Sequence, residues 1–142
     1  YYFINTDSKS LGKKSPHNKW FKYKKAFTGG EFQYGEKLGK LRPSDTLLMY
    51  ATGIGVVGAG KVAKWWNKKI YRWGDQIIYK PPFQCAEYRI DVNWDRDFRS
   101  NPIHNSNFNF LPKSYPNSTL EEIKDEYIGK VERVLQDYSQ TK

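Results

Sequence analysis

Five tryptophans, Trp20, Trp65, Trp66, Trp73 and Trp94, are the residues of this 142-residue sequence with the most to offer chemically. A cage of indole rings binds a planar base by stacking and favours an added methyl group through apolar contact. Core packing competes for any one tryptophan, but five in a chain of mean hydropathy −0.84 imply at least two exposed rings. Trp20 and Trp73, each beside basic and turn residues, are the expected pair, with Trp65 as a further candidate wall.

Other constellations are weaker. GIGVVG at 53–58 has the spacing of a dinucleotide-binding turn, which needs a helix opening inside it to aim amides at pyrophosphate. Here Val56, Val57 and Val62 continue as strand, so the motif reads as a glycine hairpin and no cofactor is expected. His17, His104 and the lone Cys85 lack partners at ligand spacing, so neither a zinc site nor a disulfide is expected, and Cys85 reads as a small buried hydrophobe. Asp91, Asp95 and Asp97 could bind magnesium in a nuclease, but the interleaved Arg89, Arg96 and Arg99 point to local ion pairing. No catalytic residue is assigned.

The formal charge is +9 and unevenly spread. Residues 9–42 carry ten Lys/Arg against Glu31 and Glu36, and residues 61–80 carry six against Asp75, whereas residues 119–142 hold six acids and four bases. Aromatic residues lie among these cations: Trp20, Phe21, Tyr23 and Phe27 with Lys19, Lys22, Lys24 and Lys25, and Trp65, Trp66, Tyr71 and Trp73 with Lys64, Lys68, Lys69 and Arg72. Cations neutralise phosphate and rings stack on unpaired bases, so a nucleic-acid partner is expected over a merely solvated face.

These residues must be positioned by a small scaffold. The length suits one domain, and opening at Tyr1 without an initiator Met, it reads as a piece of a longer protein. No apolar run approaches the roughly 18 residues that cross a bilayer, and a cytoplasmic location is expected. YYFIN predicts a first strand, and 10–19 a mobile basic loop with Trp20 at its exit. LRPSDTLLMYATG predicts a turn and a strand at 46–51, joined by a glycine hairpin to a strand at 55–62 whose glycines suggest close backbone approach. Segments 75–80 and 86–94 look extended. Leu120, Ile123, Tyr127, Val131, Val134 and Tyr138 recur at helical spacing, and Ser118 with Glu121 has the form of a capping box, which predicts a helix of four or five turns from 118. The expected class is α+β, a curved, mainly antiparallel sheet or small β-barrel flanked by helices.

Three segments, FINTDSK at 3–9, LRPSDTLLMYATGIGVVGAGKV at 41–62 and YRIDVNWDRDF at 88–98, resemble in order and spacing the PUA-like superfamily, specifically its EVE and YTH branches. YTH domains take N6-methyladenine in RNA, and EVE-like domains are linked with modified DNA bases, some as specificity modules of McrBC-type modification-dependent restriction proteins. The resemblance implies Trp20 as the first cage wall and a second from 65–73. It implies Asn5 and Asp7 as polar groups approaching the base, with Tyr50, Ala51 and Thr52 at the pocket edge. EVE domains commonly place a His-Ser pair where this chain has Ala51 and Thr52. Expected phosphate contacts are Lys13, Lys14, Lys19, Lys22, Lys64, Lys68, Lys69 and Arg72, gripping double-stranded DNA with one modified base flipped out. An effector domain or subunit would carry any enzymatic activity. The alternatives are a small hydrolase of the related ASCH branch using Lys24, Lys25, Thr28 and Glu31, an N6-methyladenine RNA reader, and a protein-interaction module.

Overall fold

TLLMYA is buried along its whole length, so this strand must be covered on both faces and paired on both edges. In the computed structural model of the chain, which describes residues 1–6, 17–30, 37–63, 69–71, 77–78, 86–111 and 120–140, it is the third strand of a seven-stranded mixed sheet. The strands are β1 (Tyr2–Asn5), β2 (Lys25–Gly30), β3 (Thr46–Ala51), β4 (Gly55–Val62), β5 (Lys69–Tyr71), β6 (Ala86–Asp97) and β7 (Leu120–Glu122). Among the described residues the helices are α1 (His17–Tyr23) and α2 (Asp125–Gln140), with a 3-10 turn at Asn105–Phe108. The order across the sheet is β2-β6-β4-β3-β1-β7, with β5 also paired to β6.

β1 and β3 run parallel, in register Asn5 to Tyr50, and the other pairs are antiparallel. A parallel pair obliges the chain to leave the sheet and return. That excursion holds α1 and β2, and β2 rejoins the sheet against β6, at the end opposite β7. One buried cluster draws on every strand from β1 to β6 except β5, with Trp20 from α1, and therefore fills the inside of a curled sheet. The second draws on β1, β3 and β4 and is closed by Val131 and Leu135 of α2, which makes it the outer face. The expected α+β class and curved sheet are thus found.

The glycines of β4 permit the curl. A Cβ at Gly60 would stand 2.2 Å from the Asn93 carbonyl oxygen, and the β4–β6 register shifts between Ala59 and Lys61. A Cβ at Gly58 would stand 2.5 Å from the Phe21 ring, so glycine there lets α1 lie directly on the strand.

Two expectations fail. Residues 120–122 form β7 rather than the start of a helix, because the free edge of β1 takes them as an antiparallel partner and so satisfies its backbone groups. The helix opens instead at Asp125, where Asp125 and Glu126 suit its positive end; Ser118 lies outside the described residues. Trp20 stands within α1, not at a loop exit, because the spacing of His17 and Trp20 gives a short helix one buried face.

Candidate nucleic-acid interface

α1 turns His17 and Trp20 inward and Lys19 and Lys22 outward. Arg99 fixes it from the end of β6: its guanidinium lies 4.2 Å from the Phe21 ring centre, donates to Asn18 Oδ1 at 2.9 Å, and is held by Asp97 Oδ2 at 2.7 Å. The Asp97 hydrogen bonds raise the Arg99 pKa above its ordinary value. Burial, reinforced by the Arg99 charge, lowers that of His17, whose Nδ1 is buried without a partner among the described residues. Because the folded chain binds the His17 proton less well than the unfolded chain, His17 favours folding above about pH 6.5, and the contribution is lost as pH falls through the folded pKa. Urea midpoints of wild type should therefore decline from pH 7 towards pH 5.5, and His17→Gln should flatten that decline.

Trp20 is 0% exposed, which corrects the expectation of an exposed cage ring. Its faces are tilted against Phe27 at 5.9 Å and Trp94 at 6.2 Å, centre to centre, because the α1–β2 corner folds the indole into the core. Ile78 belongs to the same cluster and the partly buried Ile77 packs against it. Both are pinned by the buried Glu87 carboxylate, which accepts the N–H of Ile77 at 3.1 Å and of Ile78 at 2.8 Å. Arg89 Nε donates to the same carboxylate at 2.6 Å, its guanidinium lying 5.6 Å from the Phe27 ring centre. Lys19 Nζ closes the arrangement by donating to the Ile77 carbonyl at 3.3 Å.

What Trp20 offers is an edge. Its Nε1 is buried with no acceptor among the described residues, as are the hydroxyls of Thr6 and Thr28. Thr6 N–H donates to the Tyr50 carbonyl at 2.9 Å, which continues the β1 ladder and places Thr6 on the side of Ile4 in the inner cluster. Thr28 stands two residues after Ala26 and opposite Tyr88, both in that cluster. Each unpartnered buried hydroxyl costs about 1–3 kcal/mol, so each of these groups calls for a partner.

The predicted edge-reading residues divide. Asn5, Tyr50, Ala51 and Thr52 meet at the ends of β1 and β3, where Asn5 Nδ2 donates to Thr52 Oγ1 at 3.5 Å. Strand alternation nevertheless turns Tyr50 to the outer face, where its hydroxyl accepts from Asn105 Nδ2 at 3.0 Å, and sends Asn5 with it; only Ala51 joins the inner cluster. Thr6 was not singled out by the sequence and Thr28 only for the hydrolase alternative, although two-residue spacing from Ile4 and from Ala26 was legible.

Residues 17–30 hold Lys19, Lys22, Lys24 and Lys25 and no acid. The first three are exposed, while Lys25 is paired with Asp91. Lys22 Nζ lies 5.4 Å from the Tyr23 ring centre. Asp7, Lys13, Lys14, Lys64, Trp65, Trp66, Lys68, Arg72 and Trp73 lie outside the described residues, as do Glu31 and Cys85, and only the backbone of Lys69 is described, in β5. The carboxylates of the suspected nuclease cluster are largely committed, Asp91 to Lys25 and Asp97 to Arg99. Among the described residues no group of three His, Cys, Asp or Glu side chains could hold a metal, and no helix is long and apolar enough to cross a membrane.

No protein-family model and no curated protein matches the chain. Two solved structures are similar in fold from end to end. Protein PSPTO5229 of Pseudomonas syringae superposes with a TM-score of 0.50 at 12% identity, over 95% of this chain and 99% of that one. Rpa0253 of Rhodopseudomonas palustris gives 0.51 at 11% identity, over 99% and 93%.

Proposed function

We propose that this chain is a PUA-like domain of the EVE/YTH kind that binds nucleic acid, with preference for duplex DNA carrying a methylated cytosine or adenine, and takes one extruded base to the inner face beside Trp20. The observations that support this reading are the buried polar atoms without a partner among the described residues, Trp20 Nε1, Thr6 Oγ1 and Thr28 Oγ1, and the exposed Lys19, Lys22 and Lys24 on and just after α1. An indole N–H only donates and a hydroxyl does either, so the matching guest is a flat group with at least one acceptor on its edge, which every nucleobase has. The exposed Lys19, Lys22 and Lys24 take the flanking phosphates. Extrusion costs a few kcal/mol, and with the Trp20 faces taken by Phe27 and Trp94 no stacking on that ring returns it, so net affinity rests on phosphate contacts.

In this reading the domain recognises and does not turn over its ligand. It serves as the specificity module of a modification-dependent defence protein, in the cytoplasm, with the effector elsewhere. The hydrolase alternative is less well supported: Lys25 is held by Asp91, and alternation along β2 sets Lys25 and Thr28 on opposite faces.

The test is titration of labelled duplexes carrying 5-methylcytosine, 5-hydroxymethylcytosine, N6-methyladenine or no modification, with matched RNA, at two salt concentrations. One modified duplex should bind tightest, with all affinities falling as salt rises. Salt-independent binding, or none, contradicts the proposal.

A further inference from the structure

Lys24, the first residue past α1, has a left-handed backbone with φ 54°. This is the position after a helix where glycine is favoured, because any Cβ is crowded there. One other described non-glycine residue shares the left-handed region, Ser44, at φ 77°. Ser44 has a local reason: it is the third residue of a turn closed by Asp45 N–H to Arg42 carbonyl at 3.1 Å, with Pro43 before it. Lys24 also closes a turn, its N–H donating to the Phe21 carbonyl at 3.3 Å at the end of α1 while its carbonyl accepts from Val92 N–H at 3.0 Å, but it does so with a lysine where glycine is favoured. Its side chain is exposed and its ammonium has no partner among the described residues. Its neighbour Tyr23, at 40% exposure, is one of two large hydrophobic residues lying open among the described residues, beside Lys22. A strained backbone that carries an uncommitted cation next to an open ring has the composition of a nucleotide contact.

Resting on the reading above, we infer that Tyr23 and Lys24 form a second nucleotide subsite. The Tyr23 ring stacks on a base flanking the bound one, and the Lys24 ammonium meets its phosphate. The side chain is kept at this position although glycine would make a more stable fold. Stability and binding should therefore move in opposite directions. Lys24→Gly should raise Tm by roughly 2–4 °C. It should also weaken binding of a single-stranded oligonucleotide several-fold and reduce the slope of log K against log salt by about 0.7, the loss expected for one phosphate contact on a single strand. Tyr23→Ala should weaken binding several-fold with the slope unchanged. Ser44→Gly, which relieves the same backbone strain elsewhere, and Lys124→Gln, which removes the same charge ahead of α2, should leave binding at the wild-type level.

If wild type binds and Lys24→Gly retains its affinity and salt slope, the subsite is refuted while the reading of the inner face survives. An equal loss in Lys124→Gln would also refute it, since net charge alone would then account for the effect. If wild type binds a modified duplex but not the single strand, the subsite is refuted alone; if it binds neither, the reading fails and this inference fails with it.

Discussion

Glu87→Ala is expected to cost roughly 3–5 kcal/mol of folding free energy, the range for stripping one partner from a buried ion pair. Arg89, 6% exposed, would lose the buried carboxylate it pairs with, and the N–H groups of Ile77 and Ile78 would lose their shared acceptor. Domains of this size are stable by about 5–15 kcal/mol, so urea denaturation should show a large fall in midpoint. The double replacement Glu87→Leu with Arg89→Met should recover much of the loss, because an apolar pair needs no compensation. Equal losses in the single and double variants would mean that the hydrogen bonds to the 77–78 backbone, not the buried charge, dominate.

Trp20 separates packing from recognition. Trp20→Ala should cost about 3–5 kcal/mol, since a fully buried ring is replaced by a cavity between Phe27 and Trp94. Loss of binding in that variant would say little, because much of the protein could be unfolded. Trp20→Phe keeps an aromatic body and removes an N–H that has no partner among the described residues, so its midpoint should shift by less than the alanine variant's. On the proposed reading it should still weaken binding of the modified duplex about five- to tenfold, the equivalent of one hydrogen bond. A phenylalanine variant that folds and binds like wild type would remove the indole N–H from the account.

The scaffold was largely legible in strand patterning. β3 and β4 fall at 46–51 and 55–62 as expected, because a continuous apolar run, a glycine turn and a second β-branched run leave few alternatives. The glycines read as close-approach points are such points at Gly58 and Gly60. The start of α2 was misread because Leu120 and Ile123 fit a helical period and a strand equally well, and only the edge of β1 decides between them. At the site, the basic aromatic corner was visible as composition, but the burial of Trp20 was not, since it depends on how α1 docks at Gly58 beneath Arg99. That Asn5 lies on the outer face was hidden for a similar reason: one step along a strand changes the face, and which face is inner is fixed by the curl.

The most direct test of the central claim is the affinity of Thr28→Val for the tightest-binding modified duplex and for its unmodified counterpart. Valine keeps the shape of this buried side chain and removes a hydroxyl that has no partner among the described residues, so the fold should be as stable as wild type or slightly more so. The account predicts that preference for the modified duplex falls several-fold while weak, salt-sensitive binding to the unmodified duplex is unchanged. A folded Thr28→Val variant with wild-type preference, joined by Trp20→Phe behaving the same way, would contradict the placement of the base on the inner face.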